Sequence, residues 1–155
     1  MLKQRNFLSY ILAAIFSIFI GSQITEGALL VPYWQSLPAS DFYAYYNQFG
    51  PSIGKFYTVL TIVAALIPIG VSVYCKMINS SALKYALISS FFAILFVSSF
   101  YIYFKGTNDL FYQAALSDIE LQKELVTWSY WHWGRIVLEF ISLGFLMLTL
   151  GAIKK

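Results

Sequence analysis

The sequence predicts an all-α integral membrane protein, folded as an antiparallel bundle of four transmembrane helices. Of its 155 residues, 59% are hydrophobic and only 11% are charged, whereas about a quarter of the residues of a soluble domain are charged. Four apolar stretches are each bounded by charged or turn residues. A transmembrane helix needs about 20 apolar residues, so four of them leave roughly 75 residues for loops and ends. We therefore expect a single membrane domain over residues 1–155.

The four predicted spans cover residues 7–31, 56–74, 83–104 and 131–153. The first follows Lys3 and Arg5 and has the charge pattern of a signal peptide. No A-x-A-like cleavage site follows it, so we interpret it as a retained helix. The second and third spans are joined by a tight turn, and the third and fourth by a longer loop. We expect the fourth helix to begin near Ser117 and to project beyond the membrane.

The long loop after the first span predicts a short amphipathic helix. Ser40 is a suitable N-cap, Pro38 precedes it, and Gly50-Pro51 would end the helix. Its apolar residues recur at positions i, i+3, i+4 and i+7, namely Phe42, Tyr45, Tyr46 and Phe49. Such a helix would lie on the outer membrane surface or cover the bundle as a lid.

The distribution of Lys and Arg predicts that both termini lie in the cytoplasm. The termini and the second loop hold six of these residues, and the first and third loops hold three. All four Trp then fall at the outer rim of the bundle, where indole rings favour the membrane interface. We take the bacterial inner membrane as the expected location of so compact a chain.

Composition also excludes some partners and sites. The net charge of +3 is spread along the chain without a basic tract, so nucleic acid is not an expected partner. Cys75 is the single cysteine, which excludes an internal disulfide and a Cys-rich metal site. The sequence has no Gly-rich phosphate loop and no Walker motif. The expected partners are membrane lipid and a hydrophobic small molecule, with a homo-oligomer or another membrane protein left open.

The ionisable residues inside the predicted spans are Glu26, His132, Arg135 and Glu139. Each such group costs about 2.5–3.5 kcal/mol at a span centre on insertion scales, so each needs a partner or a use. Counting along the helices from the predicted membrane boundaries places all four at the outer end of the bundle.

Helical periodicity places these groups on shared faces. His132, Arg135, Glu139 and Ser142 lie on one face of the fourth helix, and Gln23 lies one turn before Glu26. We predict an outward-facing polar pocket that is ringed by aromatic side chains, among them Trp128 and Trp131. We expect this pocket to bind a hydrophobic small molecule.

Three interpretations of the cluster remain open. It can be a structural ion-pair network in which Glu26 and Glu139 neutralise Arg135. It can be catalytic, with Glu26 or Glu139 removing a proton, Arg135 stabilising the resulting anion and His132 acting as an acid or base. His132 can instead ligate a haem or another metal. No cofactor is predicted, because a lone histidine is a weak signal.

Two non-enzymatic functions also remain open. In one, the chain is an accessory subunit of a larger membrane complex, and the small residues Ser17, Gly21 and Thr25 on the first helix permit close approach of a partner. In the other, it is a proton-coupled transporter that uses Glu26 and Glu139. No carboxylate lies in the inner half of any predicted span, so the sequence offers a transporter no continuous polar path.

The residues of this cluster resemble the pattern of a small four-span membrane family named after fungal anthrone oxygenases. In that family the first helix ends in a Gly and a following Pro, and an aromatic-rich outer loop comes next. The fourth helix opens with Trp, an Asn, and an Arg three residues on. Gly27, Pro32 and Leu37-Pro38 match the first part here, and Trp128, His132 and Arg135 match the second. His132 stands where Asn is more usual.

The resemblance implies an oxygenase-like membrane oxidoreductase that oxidises a polycyclic phenolic substrate with dioxygen, without a bound organic cofactor. It implies that Glu26 or Glu139 is the base that forms a substrate carbanion, and that Arg135 is the partner of the oxyanion. The carbanion itself passes an electron to dioxygen.

Overall fold

The computed structural model describes residues 2–153, with the side chains of residues 7–153. Lys154 and Lys155, together with the side chains of Lys3 and Arg5, entered the orientation prediction and lie outside this described part. Within residues 2–153 the chain is helical and forms no strand. Four helical stretches in that range are long and apolar enough to cross a membrane. The predicted all-α fold with four membrane helices is therefore confirmed.

Six α-helices and two π-helices make up the four stretches between residues 2 and 153. The first stretch contains α1 (Leu2–Thr25), a first π-helix (Glu26–Leu30) and α2 (Val31–Ser36), and the second is α3 (Ala39–Met77). The third stretch contains α4 (Leu83–Ser99), a second π-helix (Phe100–Phe104) and α5 (Lys105–Tyr112), and the fourth is α6 (Asp118–Ile153).

The helices are longer than the predicted spans, and two of them are longer than a bilayer requires. The 39 residues of α3 and the 36 of α6 correspond to about 58 and 54 Å, against a hydrocarbon core of about 30 Å. At one end, which we call the terminal end, the start of α1 and the end of α6 lie beside the end of α3. The other end, which we call the aromatic end, contains α2, α5 and the first turns of α3 and α6.

The predicted short helix in the first long loop is wrong as a separate element. It is the beginning of α3, which starts at Ala39, has Pro38 at its N-cap position and continues through Gly50 and Pro51. Ser40 makes no capping bond, and its hydroxyl instead donates to the Asp41 carboxylate at 3.2 Å. The helix therefore neither begins nor ends where the local signals predict.

Packing explains why α3 continues through these residues. A proline inside a helix costs about 3 kcal/mol, but Phe42 and Tyr46 are buried and pack against Phe111 of α5, with ring centroids 5.1 and 5.4 Å apart. A Cβ at Gly50 would approach the Tyr112 hydroxyl to 3.1 Å. Gly50 thus permits close contact between α3 and Tyr112 instead of ending the helix.

The predicted start of the fourth helix is confirmed. α6 begins at Asp118, directly after Ser117. The backbone N–H and the hydroxyl of Ser117 both donate to the Glu120 carboxylate, at 2.9 and 2.7 Å. The bond from the Ser117 N–H to Glu120 is one half of a capping box, and it satisfies the backbone N–H of the residue before the helix.

Two hydrophobic cores divide the described part of the bundle. The membrane core lies towards the terminal end, and its buried residues are Phe16, Phe19, Ile20, Ala64, Ala65, Ile67, Val71, Cys75, Ala82, Ala86, Ala93, Phe96, Leu146 and Leu150. The aromatic core lies at the aromatic end, and its buried residues are Val31, Trp34, Ala39, Phe42, Tyr46, Phe104, Phe111, Leu121, Leu125 and Trp128. The ionisable residues of the predicted site lie between these two cores.

Candidate functional site

The first π-helix and α6 approach each other unusually closely at Gly27. A Cβ at this position would lie 2.9 Å from Cδ2 of His132 and 3.1 Å from the Trp133 ring. Real Cβ atoms do not make contacts this short, so a residue without a side chain is required here. The close approach lets the buried His132 ring reach the backbone of the first helix.

His132 is fully buried and uses both of its ring nitrogens. Its Nε2 lies 2.8 Å from the backbone carbonyl oxygen of Gln23, and its Nδ1 lies 3.1 Å from Nη2 of Arg135. A guanidinium group can only donate, so Nδ1 accepts and Nε2 donates its proton to the carbonyl. The ring also stacks on Trp128, with centroids 5.0 Å apart and planes inclined by 14°. His132 therefore orients Arg135 and ties α6 to α1.

Arg135 is the centre of the cluster. Its Nη2 donates to the side-chain oxygen of Gln23 as well as to His132, which uses both Nη2 hydrogens. The guanidinium carbon lies 4.6 Å from the centroid of the Phe104 ring, a cation–π contact with the second π-helix. Three of the four helical stretches thus fix the position of this one cation.

Two carboxylates flank Arg135 at ion-pair distances that exceed a hydrogen bond. Oε2 of Glu26 lies 3.8 Å from Nη2 of Arg135 and 3.8 Å from Nδ1 of His132. Oε1 of Glu139 lies 3.7 Å from Nε of Arg135. Glu139 is fully buried, and neither of its carboxylate oxygens has a hydrogen-bond partner among the described residues. Arg135 therefore lies between two buried acids without hydrogen-bonding to either.

A cavity of about 200 Å³ lies beside this cluster. Glu26 and Arg135 form its charged wall, and most of the remaining wall is aromatic or aliphatic. Trp34 also lines the cavity, and its indole N–H is buried without a partner among the described residues. The cavity thus combines a few polar groups with a largely apolar lining, which is typical of small-molecule sites.

The structure brings most of the predicted site residues together, in two layers. Glu26, Arg135 and Trp128 line the cavity. Gln23, His132 and Glu139 are fully buried behind Arg135 and contact it.

Two predicted ligand-binding residues lie elsewhere. Trp131 is 39% exposed and stacks on Tyr103, with ring planes only 6° apart. Ser142 lies deeper, where its hydroxyl donates to the backbone carbonyl of Ser89 at 2.9 Å. Neither residue lines the cavity. Each of these residues shares a face of α6 with Arg135 or Trp128. A helix face is longer than one cavity, so residues on the same face need not line the same cavity.

Sequence reasoning missed several cavity residues on α3 and the third stretch. Tyr57 lines the cavity, and its hydroxyl donates to the backbone carbonyl of Ser22 at 3.1 Å. Asn108 also lines it and accepts a hydrogen bond from the Trp128 indole at 3.2 Å. Trp34, Tyr46 and Tyr112 also line the cavity. Their aromatic character suggested interfacial anchors, and the sequence did not show that α2, α3 and α5 bring them to the cavity.

The geometry bears on the metal alternative. Among the described residues, no three His, Cys, Asp or Glu side chains lie close enough together to hold a metal ion. A haem iron on His132 would have to displace either Gln23 or Arg135 from its ring nitrogens.

The chain matches no family model, no curated protein and no solved structure.

Proposed function

We propose that this chain is a multi-pass membrane protein that binds an aromatic molecule with an acidic hydroxyl group, such as a phenol or quinol, in the cavity beside Arg135. The observation that carries this proposal is the pairing of Glu26 and Arg135 on one wall of a cavity whose other walls are mostly aromatic. A carboxylate accepts the proton of a bound hydroxyl, and a guanidinium group balances the oxyanion that remains.

The two carboxylates have different roles in this proposal. Glu26 lines the cavity and acts as the proton acceptor, whereas Glu139 does not line it. Glu139, His132 and Gln23 instead hold Arg135 in place from behind. Of the two acids that the sequence left open as the base, we therefore propose Glu26.

The reaction we propose is the oxidation of a quinol by dioxygen without an organic cofactor, as the resemblance to anthrone oxygenases suggests, but with release of hydrogen peroxide and no transfer of oxygen to the product. In the simplest balanced form, a bound quinol loses one proton to Glu26, and the electron-rich anion then reduces dioxygen. Two electrons and two protons leave the quinol, which becomes a quinone, and dioxygen becomes hydrogen peroxide. Arg135 stabilises the anion while its electrons are transferred.

Binding of a single-ring quinol tests the proposal. Trp34 and Trp128 line the cavity, so quenching of tryptophan fluorescence by trimethylhydroquinone, measured without oxygen, reports binding. We expect Glu26→Gln to weaken binding at least tenfold, because it removes the proton acceptor. The exposed Asp109 offers a matched control, and Asp109→Asn should bind as the wild type does. Unchanged binding by Glu26→Gln would sink the proposal, and peroxide formation in air tests the oxidase step separately.

The orientation of the chain is part of the proposal, with both termini in the cytoplasm of a bacterium and the aromatic end outside the inner membrane. Cys75 is buried, so a cysteine introduced elsewhere can be labelled selectively. We expect a membrane-impermeant maleimide to label Gln113→Cys in intact cells and to label Ser81→Cys only after lysis. The reverse pattern would mean that the aromatic end faces the cytoplasm.

A second candidate function is that of an accessory subunit, favoured by the exposed face of α1. Ser17 and Thr25 bond to their own helix backbone at 2.9 Å, and a Cβ at Gly21 would meet no atom within 4 Å. A smooth face of small residues suits close approach of a second membrane helix. If this is the function, Gly21→Leu abolishes co-purification with a membrane partner. Purification of the wild type alone from mild detergent would oppose it.

A further inference from the structure

The cavity beside Arg135 opens on the side of the bundle, between α3 and the third helical stretch. Ile62 of α3 is 53% exposed and Tyr101 of the second π-helix is 70% exposed, yet both line the cavity. Thr58 and Phe100 lie beside them and are also exposed. The charged wall of Glu26 and Arg135 lies at the opposite, buried side. Polarity therefore falls from the interior of the cavity towards this lateral mouth.

The mouth lies within the apolar part of the helices. Lys55 precedes an apolar run that begins at Phe56 and continues to Tyr74. Ile62 is seven positions beyond Lys55, or about 10 Å further along the helix. A lysine side chain at this level can extend to the membrane interface while the residues after it remain in lipid. The mouth therefore faces the hydrocarbon of one leaflet.

The second π-helix explains why the bundle is open at this level. Along the third stretch, α4 packs closely on α3 and α5 also contacts α3, while the intervening π-helix packs less closely on α3 than either of them. π-helical turns are rare and occur most often at functional sites. Here Phe100, Tyr101 and Phe104 of this turn all line the cavity, so the irregular turn forms part of the mouth.

The size of the cavity limits what fits inside. Its volume is about 200 Å³, and an engineered cavity of about 150 Å³ in another protein is filled by benzene. The cavity therefore takes one aromatic ring with small substituents. Any longer part of a ligand has to leave through the mouth, where it meets lipid and not water.

We propose, on the basis of the proposed function, that the ligand is a single-ring phenol or quinol with a long hydrocarbon tail, and that it enters laterally from the membrane. The ring hydroxyl then lies at Glu26 and Arg135, the ring lies between the aromatic walls, and the tail passes between Ile62 and Tyr101 into the bilayer. Such a molecule matches the cavity in volume, in polarity and in the depth of its mouth.

Narrowing the mouth tests this inference. Binding of two tritiated probes to the full-length protein in lipid nanodiscs is measured in the absence of oxygen. One probe is trimethylhydroquinone, and the other is the same ring with a decyl tail. Each probe is compared between variant and wild type, so partition into lipid cancels. We expect Ile62→Trp to weaken binding of the tailed probe at least tenfold and to change binding of the tail-less probe less than twofold. Val59→Trp is the matched control, since Val59 is 54% exposed on the same helix and does not line the cavity.

Each outcome decides one of the two proposals. Equal effects of Ile62→Trp on both probes, or no effect on either, overturns lateral entry while the binding site stands. Binding of both probes that survives Glu26→Gln overturns the proposed function itself. If Ile62→Trp does not fold, Tyr101→Trp narrows the same mouth from the second π-helix, and the ratio of the effects on the tailed and tail-less probes is measured again.

Discussion

The membrane core and the site at the aromatic end treat buried polar groups in opposite ways. In the membrane core, Ser89 and Ser142 each donate to the other's backbone carbonyl, at 2.8 and 2.9 Å. Ser72 and Ser90 pair at 2.8 Å. In the described part of the chain, the buried side-chain nitrogen and oxygen atoms without a partner belong to four residues, Gln23, Trp34, Arg135 and Glu139. Every one of these residues lies at the site.

This difference indicates that the site is not optimised for stability alone. A buried polar atom without a hydrogen bond costs about 1–3 kcal/mol, and native proteins retain few such atoms. Two of the four residues, Trp34 and Arg135, line the cavity, where a ligand can supply acceptors for their N–H groups, whereas Gln23 and Glu139 lie behind Arg135. The serine pairs show that this chain satisfies buried polar groups fully where no ligand is bound.

The largest effect we expect is from removing the cation that both acids share. Arg135→Met leaves Glu26 and Glu139 buried without a counter-charge, and breaking a buried ion pair costs about 3–5 kcal/mol. Unfolding measured in mixed micelles should show that loss, and hydrogen exchange should rise in α2 and the first turns of α6 before it rises in the membrane core.

A triple variant separates structure from binding. Adding Glu26→Gln and Glu139→Gln to Arg135→Met removes the unpaired charges, so much of the lost stability should return while quinol binding remains absent. If the triple variant still binds the quinol as the wild type does, the cluster is a purely structural ion-pair network. If Arg135→Met alone is as stable as the wild type, the cluster does not hold the two helices together at all.

The next largest effect concerns the close contact between the first π-helix and α6 at Gly27. Gly27→Ala places a Cβ 2.9 Å from the His132 ring, and overpacking of this kind costs about 1–3 kcal/mol. Gly144→Ala is the matched control on α6, because a Cβ there meets no atom within 4 Å. Thermal unfolding in detergent should show a lower midpoint for Gly27→Ala and an unchanged or higher one for Gly144→Ala. Equal midpoints for the two variants would show that Gly27 has no packing role.

The smallest effect concerns the serine pair of the membrane core. Polar pairs between membrane helices contribute about 0.6 kcal/mol on average, so Ser89→Ala and Ser142→Ala should each destabilise the bundle modestly. A double-mutant cycle should show positive coupling, because both hydroxyls belong to one reciprocal pair. Quinol binding should be unchanged in both variants. A loss of binding in Ser142→Ala would restore Ser142 to the site, where its helical spacing first placed it.

Composition and periodicity predicted the four helices and the meeting of Glu26, His132, Arg135 and Glu139, because both depend on lengths and faces that a sequence carries directly. The extent of the helix in the first long loop could not be predicted in the same way. Gly50-Pro51 is a strong local stop signal, and packing against Tyr112, more than sixty residues later, overrides it. As a consequence, Tyr46 and Tyr112 were not predicted as cavity residues.

The sequence also could not predict at which level along a helix the cavity lies. Ser142 and Trp131 share helical faces with site residues, but spacing does not fix where a cavity begins and ends. The two π-helices were also not predicted, since no residue pattern distinguishes Glu26–Leu30 or Phe100–Phe104 from α-helix. Both turns flank the cavity, and they depend on contacts between helices.

The central claim is that Glu26 takes a proton from a ring hydroxyl whose anion Arg135 then stabilises. The most direct measurement is the absorption spectrum of protein-bound 4-nitrophenol, taken below the pKa of the free probe, because its phenolate absorbs at longer wavelength than the phenol. We expect the wild type and Asp109→Asn to show the phenolate band and Glu26→Gln to lose it. Bound probe that remains a neutral phenol in the wild type, or a phenolate band that persists in Glu26→Gln, would contradict the account.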